Sequence, residues 1–318
     1  MKTIRLGLFV LLIVVANSAS AESRTTCPLV EAQPTPEMIQ DGVRNARDRG
    51  FLWRISKNGR TSYLYGTMHV GKLDWAFPGP NVTQALRATD TVALELDMLD
   101  ADIRSRMVKG LATLHTMALP APLEKRMRQQ AEAVCVSFDS LAKLSPEFQI
   151  TTLTLMVGRW DGLDASYAID SVLAGIGHGA KKNVVSLETP EAQLQLLQMK
   201  DAQETITFVQ ESLDELETGR SRNLLKRISR MWANADYAEM EHYNEWCDCL
   251  NTESERELMK RILDGRNPNL ADRIDALHAS GKRVFAAVGS LHMFGPSGLP
   301  LLMSKRGYQV ERVEYKSQ

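Results

Sequence analysis

The chain has 318 residues, 38 basic against 39 acidic side chains, and 44% hydrophobic residues. That near-neutral balance leaves no electrostatic footprint for nucleic acid or an anionic membrane surface. The length is enough to bury a sizeable core, as one large domain or two closely packed lobes.

The first residues predict export. Lys2 and Arg5 precede the uncharged run Leu6 to Ala16, and Ala19-Ser20-Ala21 supplies a small-x-small cleavage pattern. A run of that length rises only about 16 Å as a helix, roughly half of what a hydrocarbon core requires. Residues 1–21 therefore read as a cleaved signal peptide, and the mature chain as periplasmic or secreted. Cys27 is a poor lipid-attachment site, because Arg24-Thr25-Thr26 before it is polar. No later segment is apolar long enough to span a bilayer. Losing Lys2 and Arg5 from 38 basic residues leaves 36 against 39 acidic ones, a formal charge of −3.

Residues 22–49 form a polar segment whose Pro28–Pro36 stretch reads as a tether. The folded domain is expected over 50–318. Phe51–Ser56 and Thr61–Tyr65 are β-prone, and Lys57-Asn58-Gly59-Arg60 between them is a hairpin signal. Asn81–Ala88 predicts a helix, and Thr91–Asp97 a strand with Glu95 and Asp97 on one face. Ser145-Pro146 starts a helix in the mostly helical middle. Lys182–Leu187 is another strand, ending at Glu188. Ile206, Val209, Leu213 and Leu216 repeat at helical spacing, and Thr252 with Glu255 forms a capping box. A helix from about Asn269 to Gly281, a strand Arg283–Val288, a helix to Gly307 and a strand Tyr308–Glu314 close the chain as a tight β-α-β unit. The expected class is α/β: a central mixed sheet from N- and C-terminal β-α units, with a helical middle insertion.

Two segments share one plan. Tyr63-Leu64-Tyr65-Gly66-Thr67-Met68-His69 and Ala286-Ala287-Val288-Gly289-Ser290-Leu291-His292 each run from an apolar strand through Gly-x-x to His. Glycine at a strand end permits close backbone approach, and ligands of α/β sheets bind beyond the strands' carboxyl ends. Two such rims brought together would place two imidazoles in one crevice. Glu95, on an otherwise apolar strand, and Glu188, at the end of another, are the carboxylates to join them. Two neutral His and one or two carboxylates make a reasonable shell for a divalent ion that acidifies bound water.

These motifs are similar to those of the TraB/PrgY/GumN family, to which the Tiki metalloproteases are related. The resemblance rests on Phe51-Leu52-Trp53-Arg54, Tyr63–His69, Ala93–Asp97 and Gly289–His292. It extends through Gly162-Leu163-Asp164, Val185–Thr189, Arg222-Asn223 and Gly307–Val310, and so covers about residues 50–315. It implies a site of His69, Glu95, Arg222 and His292, with Glu188 and Asn223 as further members. His69, His292 and Glu95 would be the metal ligands. Some relatives cleave peptide bonds with a divalent metal, manganese or cobalt being favoured and zinc possible. Others limit peptide pheromone signalling or belong to exopolysaccharide gene clusters. Ser166–Ala168 depart from the leucine-bearing pattern, so Asp164 and Asp170 read as helix caps or surface charges. The alternative for Arg222 is one charge on the solvated helix Arg220–Arg230. His115, His178, His242 and His278 read as structural or surface residues.

Three functions follow as expectations. The first is an exported metal-dependent hydrolase, a metallopeptidase acting on a peptide or exported polymer. The second is a metal-free, esterase-like hydrolase with His69 as base, Glu95 orienting it and Arg222 as electrostatic partner. The third is a non-enzymatic protein that binds a peptide or polysaccharide. The four cysteines, Cys27, Cys135, Cys247 and Cys249, allow one or two disulfides in an oxidising compartment, with three full pairings open. Cys247-Asp248-Cys249 favours bridging over a zinc site.

Overall fold

A computed structural model describes residues 27–28, 34–114, 116–247 and 249–315. The expected signal segment 1–21 and His115 lie outside them. Six strands form one sheet: β1 (Phe51–Lys57), β2 (Arg60–Thr67), β3 (Thr91–Leu94), β4 (Asn183–Ser186), β5 (Val284–Gly289) and β6 (Gln309–Arg312). Their order is β4-β3-β5-β2-β1-β6. β1 and β2 make the expected hairpin, Lys57 pairing with Arg60 across Asn58-Gly59. Both turn residues have positive φ, 53° and 72°, as a two-residue hairpin turn requires.

Four neighbouring strands, β4, β3, β5 and β2, run parallel. Their carboxyl ends therefore share one rim, where Thr67 pairs with Gly289 and Glu95 and Glu188 lie just past the ends of β3 and β4. β5 is the central member and is fully apolar, from Val284 to Val288. The closing unit is wider than expected: β6 pairs with β1, so β2 and β1 separate it from β5. β3 also ends sooner, at Leu94, leaving Glu95 just past the strand and on the rim.

The helical part is split by β4. The helices Ala121–Ala133 and Pro146–Met156 precede that strand, and Ala202–Glu217 follows it. They pack together around a second core containing Met127, Ile150, Val209 and Leu213, apart from the sheet's own core. Ser145 stands at the N-cap of Pro146–Met156, yet its hydroxyl makes no cap bond and is buried without a partner. The Thr252–Glu255 capping box is present.

Residues 29–33 of the expected Pro28–Pro36 tether lie outside the described residues, and regular structure begins before Gly50. Pro36–Arg44 is a helix, and the Asp48 carboxylate accepts from the Asn81 and Val82 backbone N–H groups at the start of the helix Pro80–Ala88. Its charge offsets the unpaired donors there. Disulfides join Cys27 to Cys135 and Cys247 to Cys249. Among the described residues no helix is long and apolar enough to cross a membrane.

Candidate active site

The rim of the four parallel strands gathers the first cluster of titratable groups. Glu95 is 6% exposed, and an unpaired carboxylate there would be costly. Its Oε1 accepts the Gly289 backbone N–H at 2.7 Å. Its Oε2 accepts from Arg266 Nη2 and, at 3.2 Å, from Gln193 Nε2. Glu188 mirrors it, bonded to Arg266 through Nε at 2.9 Å and through Nη2, and to Gln193 at 3.0 Å. One guanidinium and one amide thus tie both carboxylates together.

His292 is 3% exposed, on the turn after β5. Asn267 Nδ2 donates to Ser297 O at 2.9 Å, which turns its Oδ1 toward the ring. His292 Nδ1–H therefore donates to Asn267 Oδ1 at 2.6 Å, and the lone pair lies on Nε2, where it accepts from Arg266 Nη1 at 3.1 Å. His69 is held differently. Its Nδ1–H donates to Asp170 Oδ2 at 2.8 Å, and Thr67 Oγ1 donates to Asp170 Oδ1 at 2.5 Å. Asp170 is delivered by the helix Ile169–Gly179, whose first N–H bonds Met68 O at 2.9 Å. Asp164 locks the same approach by backbone pairing with Gly71, while its carboxylate caps Ser166 and pairs Arg159.

Gly289 marks the point of convergence. A methyl group in place of its hydrogen would lie 3.3 Å from Glu95 Oε1, 3.5 Å from His292 Cδ2 and 3.8 Å from His69 Nε2. Both imidazoles and Glu95 therefore border one small space, as the paired motifs predict. Neither motif glycine has a positive φ, so close approach is their role. Gly66 lets the Ser290 Cα come to 3.1 Å of its own Cβ position.

The electrostatics divide the two rings. The Asp170 carboxylate outweighs burial, and with Glu95 it raises His69 to about 9. The ring is 58% exposed, so water screens part of that attraction. Burial pushes His292 down to about 4, with Arg266 adding to the effect against the pull of Glu95. Burial alone would raise Glu95, but His292, His69, Arg266 and the Gly289 N–H together hold it at about 2. Burial likewise opposes the charge of Arg266, and Glu188 with Glu95 overcomes it, raising its pKa.

Arg222 and Asn223, expected here, are elsewhere. Arg222 Nε donates to Asp161 Oδ2 at 2.7 Å beside the helical lobe, and Asn223 is exposed on the same helix. That helix meets the end of β2 near its far end, where Trp232 Nε1 donates to Gly66 O at 2.7 Å. Ten residues of helix put Arg222 about 15 Å back along the axis. The sequence holds three Arg-Asn pairs, at 44–45, 222–223 and 266–267, and the last, Arg266-Asn267, opens the helix Asn267–Ala279 feeding β5. Its position next to that strand is the signal that would have found it. Gln193, five residues after Glu188, carries no such mark, and Asp170 joins the site in place of a capping role. Of the other histidines, His278 is a buried core residue bonded to Ser62 Oγ at 2.9 Å, His178 pairs Asp97 and His242 pairs Glu245.

A cleft of about 290 Å³ adjoins the site through Asn267 and Leu291, with Met240, Tyr243, Leu263 and Phe294 on its walls. The TraB/PrgY/gumN family model matches residues 51–312, from the first strand of this sheet to the last. The chain belongs to that family. Within it, the chain is 26% identical over 246 residues to the uncharacterized protein YbaP of Shigella flexneri, covering 77% of this chain and 88% of that one. YbaP of Escherichia coli (strain K12) matches to the same extent. No solved structure matches.

The donor types of this family member suit a divalent ion. Asp170 and Asn267 fix the outer nitrogens of the two rings and leave both Nε2 atoms inward, the support that metal-bound histidines usually have. With neutral rings, three carboxylates (Glu95, Glu188 and Asp170) against one guanidinium leave two negative charges to balance. As placed, however, Arg266 lies against both glutamates. Among the described residues no group of three His, Cys, Asp or Glu side chains stands ready to hold an ion.

Proposed function

We propose that this protein is an exported hydrolase, a metallopeptidase, whose divalent ion, manganese or cobalt before zinc, is held by His69, His292 and Glu95. The convergence of His69 Nε2, His292 and Glu95 Oε1 around Gly289 carries the reading. Such an ion would lower the pKa of a bound water into the neutral range. The chain's own groups do the rest. Asn267 fixes the His292 tautomer with its lone pair on Nε2, burial keeps that ring neutral, and Asp170 sets the His69 ring. Gly289 N–H and Arg266 fix the Glu95 carboxylate, and Arg266 offsets Glu188. The peptide as substrate rests on the motif resemblance, and export rests on residues 1–21.

Elemental analysis of anaerobically purified protein, with a peptide-library digest with and without Mn²⁺, tests this reading. His69→Ala and His292→Ala should each strip the ion and abolish cleavage. A double variant that keeps a stoichiometric ion excludes these ligands.

One observation favours a second reading. Arg266 already stands where a cation would balance the two glutamates, so His69 could act without metal as a general base steadied by Asp170, with activity rising toward pH 9 as the ring gives up its proton. Cleavage that resists chelators and is lost in Asp170→Asn would decide for it. A library that is retained but never cut would instead support a peptide- or polysaccharide-binding protein.

A further inference from the structure

The cluster described above accounts for one arginine. A second, Arg261, is one turn earlier and part-buried, and among the described residues its guanidinium pairs with no carboxylate. Arg261 Nε is buried without a hydrogen-bond partner. Among the described residues the hydrogen-bond partner of its Nη2 is Met199 Sδ, at 3.8 Å, and a thioether is a weak acceptor. Arginine remains charged at every relevant pH, and buried donors of a charged group left unsatisfied are costly. The nearby acids do not relieve it: Asp264 accepts from Ser297 Oγ, and Glu257, at helical i−4 spacing, makes no ion pair with it among the described residues.

The local backbone gives this arginine its place. Lys260–Asp264 is a π-helical turn, closed by Gly265 N–H to Lys260 O at 2.8 Å. Turns of this kind are rare and collect at functional sites. This one ends two residues before Arg266, whose Nη1 donates back to Ile262 O at 3.1 Å. Across from it, Met199 follows the helix Pro190–Leu197, whose Gln193 is bonded to both site glutamates. Arg261 thus bridges the two elements that hold the carboxylates of the candidate active site.

We propose that Arg261 anchors a carboxylate of the molecule that binds at the His69–Glu95–His292 site, so that the protein prefers peptides carrying a free carboxylate near the bond it addresses. The planar fork of the guanidinium matches a carboxylate in bidentate fashion, which a neutral amide cannot reproduce. That the anchored molecule is a substrate rests on the hydrolase reading; the anion site itself does not.

Calorimetric titration of the whole protein with N-acetyl-Ala-Ala-Leu, its C-terminal amide and inorganic phosphate tests this. The free carboxylate should bind about tenfold or more tighter than the amide, the size expected of a hydrogen-bonded charged group, and tighter than phosphate. Arg261→Met should erase the preference while leaving amide affinity unchanged, and Arg261→Lys should keep part of it. Should Arg261→Met fail to fold, the wild-type comparison and the Lys variant decide alone. Equal affinity for both peptides, binding of neither, tighter phosphate binding, or a preference that survives Arg261→Met would overturn the proposal. Carboxylate-selective binding with no library cleavage would keep the anchor and remove the hydrolase. Cleavage indifferent to the carboxylate would do the reverse.

Discussion

The two Gly-x-x-His motifs are near copies in sequence and opposites in electrostatics. Each ring follows a parallel strand, fixes its Nδ1 and borders Gly289, His69 through Nε2 and His292 through Cδ2. His69 is given a carboxylate, Asp170, and half its surface is open to water; it is held toward its charged form. His292 is given an amide, Asn267, a neighbouring guanidinium and almost no water; it is held neutral. The motif therefore specifies where an imidazole stands, and its neighbours specify what it is. Those neighbours come from helices that the motifs do not contain.

The strongest way to break this contrast is Arg266→Met. It leaves Glu95 and Glu188 buried without their cation, and such a loss costs about 3–5 kcal/mol. Urea denaturation should show it, and the His292 ring should titrate above its present value of about 4. A cost under about 1 kcal/mol would mean that Arg266 is not the element that sets His292 apart.

In the ion-free protein, pH separates the two rings without mutation. His292 has a folded pKa below the unfolded value of about 6.5, so the unfolded state binds more protons between those values. Its contribution is complete above about pH 6.5 and is lost as pH falls toward 4. The linkage allows about 3 kcal/mol for that buried ring. His69 has a folded pKa raised to about 9, so its contribution is complete below about pH 6.5 and is lost as pH rises through 9. Stability measured by denaturation should thus fall on both sides of about pH 6.5, more steeply on the acid side, and a flat profile would contradict both assignments. Occupation of the site by a metal should flatten both arms.

Exchanging the partners sharpens the comparison. Asp170→Asn should lower the His69 pKa by about 1–3 units, the usual effect of losing an adjacent opposite charge. Asn267→Asp should move His292 upward in the same way. Ring proton shifts followed by NMR read both, and rings that titrate unchanged in both variants would show that burial alone separates them.

The smallest effects come from the two glycines. Gly66→Ala forces a methyl against Ser290, whose Cα is at 3.1 Å, and should cost about 1–3 kcal/mol. Gly289→Ala meets side-chain atoms at 3.3 Å or more, so its stability cost should be below about 1 kcal/mol, while activity falls because the methyl enters the space shared by the rings. Thermal unfolding and the library digest separate these outcomes, and the reverse pattern would exchange the roles assigned to the two glycines.

Much of the fold was legible along the chain. Alternating apolar strands, the Asn58-Gly59 turn and the Thr252–Glu255 box are local signals, and each names an element without reference to the rest. His69, Glu95, Glu188 and His292 were legible for a related reason: each lies within three residues of a strand's end, and parallel neighbours bring those ends to one rim. Arg266 and Asn267 were missed because the same dipeptide occurs at 222–223, and nothing local tells which helix faces the rim. From sequence alone Asp170 reads as a cap or a surface charge, and Gln193 carries no local signal. Their parts depend on how helices Ile169–Gly179 and Pro190–Leu197 cross the sheet, and on a β4 that divides the helical region in two.

By itself the sequence determined the strands, the duplicated Gly-x-x-His plan and two carboxylates at strand ends, because hydrophobic period and turn chemistry act over a few residues. Only the tertiary structure decided which arginine neutralises those carboxylates and which partner each imidazole receives. Ion pairing and proton affinity fall off over a few ångströms in space, and in this chain those ångströms join residues that lie 78, 101 and 171 positions apart.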